Sequence, residues 1–402
     1  MNTVFIQFYS DMERQNYLQI YNGFCDTYNY LKNKGDFIWI DREKDELIDL
    51  PFSKGKAFVS IYFTDQLWII YKYAEKYPDI NFVCGGPLIQ SMEDRIGELL
   101  ACVHIPNLEL TVKSVEEYFN IPEYSQRWNL NLDGIKNLHS KRNIYFSYQI
   151  HSHCYWNKCN FCAYPKKLMR TREHIDLSVI NDIDFNGEKQ VKVNMPCLNK
   201  HYMKTVFDQM VFDQNIIYDF YLRCDDQEIN SLDNTLSNFK GPLPRIKFRM
   251  GIEFPSDRML TFMNKGITLD EIIRTVKMFE KYQKDNPIYL YYLMIIRWPN
   301  LIKDDLIDFN KFAESIIQPA HTVSINPLFC APGTEIHELW KNNIETKIYN
   351  GHFYKGYTPI VSDEVKAIDD YVEKTMATKT KKQWKLTNDY TNSNCNELIK
   401  LK

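Results

Sequence analysis

Short apolar runs of strand length alternate with helical patterns through the first hundred residues. The runs cover residues 4–8, 37–41, 57–62 and 80–84. Residues 17–31 and 66–76 carry apolar positions at helical spacing. Alternation of this kind is typical of an α/β fold with a parallel, doubly wound sheet. We therefore predict a Rossmann-like domain over residues 1–105.

The chain from residue 144 onward carries six further apolar runs that predict strands. They lie at residues 144–150, 190–194, 218–223, 246–253, 289–296 and 322–328. Between the fourth and fifth, Thr268 and Glu271 have the spacing of a capping box, which predicts a helix beginning there. Residues 106–142 have few apolar repeats and are interpreted as a linker. An amphipathic stretch at 363–376 precedes a tail, from Lys379 onward, that we expect to be solvated or disordered.

Composition narrows the class of protein. Lys and Arg number 49 and Asp and Glu 52 among 402 residues, so the formal net charge of −3 indicates neither a nucleic-acid surface nor an anionic-membrane surface. Ten scattered cysteines, without a signal-peptide pattern after Met1, predict a reducing, cytoplasmic location and no disulfide framework. No apolar run reaches the roughly 20 residues that a membrane-spanning helix needs.

Three cysteines lie close together at Cys154, Cys159 and Cys162. Iron-sulfur cubanes are normally held by four Cys thiolates, so a set of three leaves one iron open to a small molecule. The alternative is a structural zinc site completed by His151 or His153. A zinc pair usually needs a second knuckle, and the sequence offers none nearby.

The spacing of these cysteines resembles the signature of the radical S-adenosylmethionine (SAM) superfamily, with four residues instead of three in the first gap. The run from Gly251 to Phe279 and the Pro332-Gly333-Thr334 turn also resemble that superfamily. The resemblance implies a partial (β/α)6 barrel over residues 143–340, followed by a C-terminal extension at 341–402. It also implies a 4Fe-4S cluster that cleaves SAM reductively, supplied with electrons by a flavodoxin or ferredoxin.

Site residues follow from the same resemblance. Cys154, Cys159 and Cys162 would hold the cluster. Four residues on this loop and at the strand ends would contact SAM, with the first of them near the adenine. They are Phe161, Asn194, Arg223 and Glu253.

The first domain resembles the cobalamin-binding domain that precedes the barrel in many radical SAM enzymes, since its strand at 80–84 ends in Gly85-Gly86-Pro87. The Asp-x-His-x-x-Gly motif that supplies a cobalt ligand is missing, and His104 is the only histidine within residues 1–120. Some relatives bind cobalamin without that histidine. We nevertheless expect cobalamin to be unlikely here and the domain to serve packing or substrate binding.

Cysteines past the predicted strand ends suggest the reaction. Cys330, with Cys197 and Cys224 as less favoured candidates, could return a hydrogen atom to a substrate radical. This resembles radical SAM epimerases of ribosomally made peptides, including those acting on proteusin-type precursors, so we predict a precursor peptide as substrate. Alternatives are a cobalamin-dependent radical SAM methyltransferase, a small-molecule tailoring enzyme and a zinc-stabilised binding module. Free cysteine is also often a buried apolar residue.

Overall fold

A computed structural model describes sixteen segments of the chain. They are residues 2–12, 17–21, 34–41, 47–61, 64–86, 89, 106–113, 118–119, 143–148, 154–162, 189–209, 211–316, 322–330, 334–349, 353–379 and 382–384. Some sequence predictions fall outside the described residues, among them those for His151, His153, Pro332 and Gly333.

The described part contains fifteen strands. They are β1 (Thr3–Met12), β2 (Tyr17–Tyr21), β3 (Asp36–Asp41), β4 (Gly55–Ser60), β5 (Ile80–Gly85), β6 (Leu108–Leu110), β7 (Asn143–Tyr148), β8 (Lys189–Leu198), β9 (Ile216–Leu222), β10 (Arg245–Glu253), β11 (Ile288–Ile296), β12 (Thr322–Pro327), β13 (Ile344–Tyr349), β14 (Phe353–Pro359) and β15 (Lys382–Trp384). The helices are α1 (Thr64–Lys76), α2 (Lys200–Gln209), α3 (Asp226–Ser237), α4 (Asp257–Phe262), α5 (Leu269–Gln283), α6 (Asp305–Ser315), α7 (Glu335–Trp340) and α8 (Asp363–Lys379), and Lys341–Asn343 forms a 3₁₀ turn. None of the helices in these segments is long and apolar enough to cross a membrane.

The first sheet is parallel and has the order β3-β1-β4-β5-β6. Its strands bury one apolar core with α1, in which Val4, Phe8, Tyr73 and Phe82 are fully inaccessible. In order along the chain these strands are arranged 2-1-3-4-5, which is the flavodoxin-like form of a doubly wound fold. The α/β prediction is confirmed, and the sheet extends past residue 105 to Leu110.

Strand β2 joins this sheet to a second one. It pairs antiparallel with the end of β1 and parallel with β7, from Tyr17 opposite Asn143 to Tyr21 opposite Ser147. The predicted helix over 17–31 is therefore wrong at its start. Leu18 and Ile20 alternate with Gln19, and this period of two suits a strand that pairs on both sides.

The second sheet runs β7-β8-β9-β10-β11-β12, all parallel and in chain order. Successive residues of β10 alternate between full and partial burial until its end. The fully buried face, with Phe220, Phe248 and Tyr292, packs against the helices. The other face is polar: Arg249 forms a bidentate ion pair with the buried Asp219, with nitrogen–oxygen distances of 2.7–2.9 Å.

The polar face distinguishes this sheet from a closed (β/α)8 barrel, whose interior is normally filled by branched apolar side chains. In the register of the sheet, Arg249 lies between Tyr221 and Tyr291, and its guanidinium is 4.5 Å from the Tyr291 ring centroid. The inner face of this sheet is therefore suited to polar groups.

The elements around the sheet agree with most sequence predictions. The Thr268 capping box is formed in full, with the Glu271 carboxylate accepting from the Thr268 N–H at 2.7 Å. Helix α8 covers the predicted amphipathic stretch. The tail differs from its prediction, since β15 pairs parallel with β12 and lengthens the sheet. β13 and β14 form a separate hairpin that contacts α1 of the first domain.

Candidate functional site

Three accessible thiols lie on the loop that follows β7. Cys154 and Cys159 are partly exposed and Cys162 is exposed. The other cysteines of the described chain are all buried; they are Cys84, Cys197, Cys224 and Cys330. Accessible thiols are thus confined, in the described segments, to the loop that the sequence singled out.

Backbone and amide contacts fix this cysteine loop, defined as residues 154–162, to the helices beyond β10. The Asn160 N–H donates to the Met263 carbonyl at 3.2 Å, and its side-chain amide donates to the Phe262 carbonyl at 2.6 Å. The Asn160 carbonyl in turn accepts from the Ile336 N–H at 3.2 Å. Asn160 therefore anchors the loop between α4 and α7.

A second anchor is the Trp156 ring, which lies against the turn Asn264–Gly266. Its indole Nε1–H donates to the Asn264 carbonyl at 2.7 Å. The Arg223 guanidinium stacks 4.5 Å from the Trp156 ring centroid, donates to the Lys265 and Gly266 carbonyls, and pairs with Asp225 at 3.2 Å. Arg223 thus ties the end of β9, the turn and the cysteine loop together.

Gly266 makes this contact possible. Its φ is +63°, and a Cβ at this position would overlap the Trp156 indole. Gly241 has a similarly positive φ of +96° with open space around it. We expect Gly266→Ala and Gly241→Ala to share a backbone strain of about 1 kcal/mol. Only Gly266→Ala should also displace Trp156 and lower iron retention after reconstitution. Equal iron content in both variants would contradict this role for Gly266.

A buried ion pair lies beside the loop. The Lys265 ammonium donates to Glu253 Oε1 at 2.5 Å, and both side chains are about nine-tenths buried. Burial lowers the pKa of Lys265, but Glu253 and Cys159 more than offset it, so the pKa is raised overall. Gly251 makes room for the pair, because a Cβ there would lie 2.7 Å from Glu253 Oε1. Lys265 also lies 5.8 Å from the Phe161 ring centroid, which brings a positive charge to the loop.

Backbone strain is concentrated in the same region. Within the described residues, four non-glycine residues have a left-handed φ: Asn157, Glu253, Asn264 and Arg297. Asn157 is in the cysteine loop and Asn264 is in the turn beneath Trp156. Glu253 ends β10, and Arg297 directly follows β11. Strained residues of this kind cluster at ligand sites, where surrounding contacts hold them in place.

Positive side chains lie beside the cysteine loop. In the described part of the chain no three His, Cys, Asp or Glu side chains are grouped to hold a metal ion, and His151 and His153 lie outside that part. Burial raises the pKa of the Cys159 thiol, and the positive charges of Lys265 and Arg223 offset part of that rise, which suits an anionic thiolate cluster.

The structure also locates the other predicted site residues. The Phe161 ring packs edge-on against the Trp298 ring, with centroids 5.6 Å apart. The Arg223 guanidinium makes the contacts with Trp156, Asp225 and the turn described above. Glu253 ends β10 as predicted, but its pairing with Lys265 was not anticipated. The Asn194 side chain lies outside the described residues. SAM binding by these four residues stays a prediction.

Lys265 and Trp156 are the site residues that the sequence analysis missed. Lys265 and Gly266 lie within the run from Gly251 to Phe279 that carries the resemblance, but nothing in the linear sequence showed that this turn contacts Trp156.

Cys330 follows β12 and is completely buried, and burial raises the pKa of its thiol to about 12. Cys224 is also completely buried, and burial raises its pKa to about 12 as well. Cys197, at the end of β8, is 3% exposed. All three thus have the burial of ordinary apolar residues. Hydrogen donation by Cys330 stays a prediction.

The first sheet has its own candidate ligand edge. In a 2-1-3-4-5 sheet the ligand crevice lies at the carboxyl ends of the first and third strands, here β1 and β4. Next to it, Gly86 has a φ of +101°, and a Cβ there would lie 2.8 Å from the Ile61 nitrogen. The Ile61 N–H donates to the Gly85 carbonyl at 2.8 Å. Gly85 and Gly86 therefore let β4 and β5 end close together.

Comparisons with known proteins find similar folds. No protein-family model matches the sequence, and no curated protein does either. The structure resembles OxsB, a cobalamin-dependent SAM radical enzyme solved with aqua-cobalamin and SAM bound. The TM-score is 0.60 at 12% identity, over 94% of this chain and 67% of that one.

It also resembles TsrM from Kitasatospora setae, a radical SAM methyltransferase solved with cobalamin and a 4Fe-4S cluster. That match has a TM-score of 0.54 at 12% identity, over 88% of this chain and 82% of TsrM. A second TsrM structure, with tryptophan substrate and a SAM analog, gives a TM-score of 0.53. The protein thus has an α/β fold shared with radical SAM enzymes.

These matches correct the prediction that cobalamin is unlikely. Both proteins were solved with cobalamin, and their matches span 94% and 88% of this chain, too much to leave the first sheet out. The missing Asp-x-His-x-x-Gly motif was a poor guide because it concerns only one cobalt ligand, whereas strand order determines where a doubly wound sheet binds ligands. The predicted peptide epimerase finds no support among these proteins.

Proposed function

We propose that this protein is a cobalamin-dependent radical SAM enzyme that transfers a methyl group. The observation that carries the proposal is the cysteine loop at the carboxyl end of a parallel six-stranded sheet. The loop holds three accessible thiols, with the positive charges of Lys265 and Arg223 near Cys159. The strand order of the first sheet, for which a ligand crevice is expected at the ends of β1 and β4, supports the second cofactor.

Residues of this chain would divide the work between two sites. Cys154, Cys159 and Cys162 would hold a 4Fe-4S cluster, and the backbone at the ends of β1 and β4 would hold cobalamin. The cluster would supply the electron that cleaves SAM, and cobalamin a carrier for the methyl group. Trp156, Arg223 and Asn160 hold the loop that carries these thiols against the rest of the domain.

The substrate is expected to be polar. The inner face of the second sheet presents the Arg249–Asp219 pair and the Tyr291 hydroxyl, which is hydrogen-bonded to Ser324. Covering this paired but charged face with an apolar substrate would still carry a desolvation penalty.

The test is to reconstitute the full chain anaerobically with iron, sulfide and hydroxocobalamin, reduce it with titanium(III) citrate, and then add SAM labelled in its methyl group. The reductant supplies the electron for SAM cleavage and the two electrons that bring cobalt(III) to cobalt(I), the state that can take the methyl cation and release S-adenosylhomocysteine. We expect about four irons and four sulfides per chain, retained cobalamin, and label in the cobalamin fraction. A protein that binds the cluster and cleaves SAM but retains no cobalamin would contradict the proposal.

A pair of glycine variants separates the two cofactors. Gly86→Ala should disturb the edge of the first sheet, because its Cβ would press on Ile61 and its φ is positive. Gly85→Ala is the matched control, since its Cβ would lie 3.4 Å from Thr111 without a positive φ. We expect at least about tenfold weaker cobalamin binding for Gly86→Ala only, with iron content unchanged. An unchanged cobalamin affinity would place the cofactor elsewhere.

A further inference from the structure

The bend after β11 is held by the C-terminal helix. Arg297 follows directly after the strand and has a left-handed φ of 64°, which a side chain disfavours. Its N–H donates to Oδ1 of Asp369 on α8 at 3.2 Å. A residue far along the chain therefore stabilises a strained turn at the site's edge of the sheet.

An aspartate is unusual at this buried position of α8. The residue is 95% buried, and within the described structure its Oδ2 has no hydrogen-bond partner. Burial raises the pKa of Asp369 to about 7. A buried oxygen without a hydrogen-bond partner lowers stability, and an apolar side chain at this position of α8 would avoid that cost. Packing of α8 alone does not explain an acid here.

The bend places Trp298, the next residue. Trp298 is fully buried, and its Nε1–H donates to the Ile295 carbonyl at 2.9 Å. Its ring meets the Phe161 ring edge-on, with centroids 5.6 Å apart. Phe161 lies between Cys159 and Cys162, so the position of Trp298 is transmitted to the thiols.

We propose that Asp369 is a positioning residue that sets the cysteine loop in place through the Arg297 bend and Trp298. This inference rests on the proposed function only in assigning a cluster to that loop. It makes the C-terminal helix part of the site, although the helix lies outside the barrel proper.

Hydrogen exchange of the apo full-length protein tests the inference without any cofactor. Asp369→Leu removes the acceptor of the Arg297 N–H, whereas Asp369→Asn keeps an acceptor oxygen. Val372→Ala is the matched control. Val372 is a fully buried residue of the same helix, and none of the described hydrogen bonds joins it to the bend. We expect Asp369→Leu to speed exchange of the Asn160 and Cys162 amides about fivefold, and the other two variants to leave them near wild type.

Unchanged exchange at these amides in Asp369→Leu would overturn the inference, and so would an equal increase in Val372→Ala. Reconstituted samples give a second readout: Asp369→Leu should change the electron paramagnetic resonance (EPR) spectrum of the reduced cluster and Asp369→Asn should not. A wild-type protein that binds no iron would refute the proposed function, yet the exchange result for Asp369 would stand.

Discussion

Replacing Cys159 by alanine is expected to abolish both cluster binding and SAM cleavage. Two thiolates cannot hold a cubane that already has one open iron, so the expected iron content after reconstitution falls to background. The measurement is iron and sulfide per chain, together with 5'-deoxyadenosine and methionine formed from SAM under reducing conditions. Cys159 lies between the anchors at Trp156 and Asn160, and its replacement leaves both anchors intact.

The matched control is Cys224→Ala. Cys224 is completely buried in the apolar core and burial raises its pKa to about 12, so it is a poor ligand and should not affect iron content. The prediction fails if Cys159→Ala still forms 5'-deoxyadenosine, or if Cys224→Ala loses the cluster as fully as Cys159→Ala does.

Breaking the Glu253–Lys265 pair is expected to give the second large effect. Lys265→Met leaves the Glu253 carboxylate buried without its partner, and removal of one member of a buried pair costs about 3–5 kcal/mol. The free energy of unfolding of the apo-protein, measured with a chemical denaturant, should fall by about that amount. The site should also lose a positive charge beside Cys159.

The double variant Glu253→Gln with Lys265→Met separates stability from SAM binding. It removes both charges, so most of the lost stability should return. If Glu253 also contacts SAM, the double variant should bind the cluster but bind SAM weakly. A double variant as unstable as Lys265→Met would show that the pair is not the source of the effect.

Most strands were predictable because parallel strands covered by helices carry long apolar runs. The runs at 289–296 and 322–328 match β11 and β12 within a residue. The helix beginning at Thr268 was predictable from capping chemistry alone. Residues 17–21 were misassigned because a five-residue stretch fits both periods, and its strand state depends on pairing with β1 and β7.

The site was predictable only in part. Local spacing pointed to Cys154, Cys159 and Cys162. The contacts that hold their loop come from residues far along the chain, at Gly266 and Ile336, and no linear pattern links these to the loop. Asp369 is further still, since its contact with Arg297 depends on how α8 docks.

Cobalamin use was misjudged for a related reason. The expectation relied on one short ligand motif, whereas the crevice of a doubly wound sheet is a property of strand order. That order, with β4 beside β1, appears only once the sheet is assembled.

EPR spectroscopy of the reduced protein tests the central claim most directly. The anaerobically reconstituted chain, reduced with dithionite, should give the spectrum of a reduced 4Fe-4S cluster, and SAM should shift that spectrum by binding at the open iron. A cluster spectrum that SAM leaves unchanged, or a protein that takes up zinc and no iron, would contradict the account.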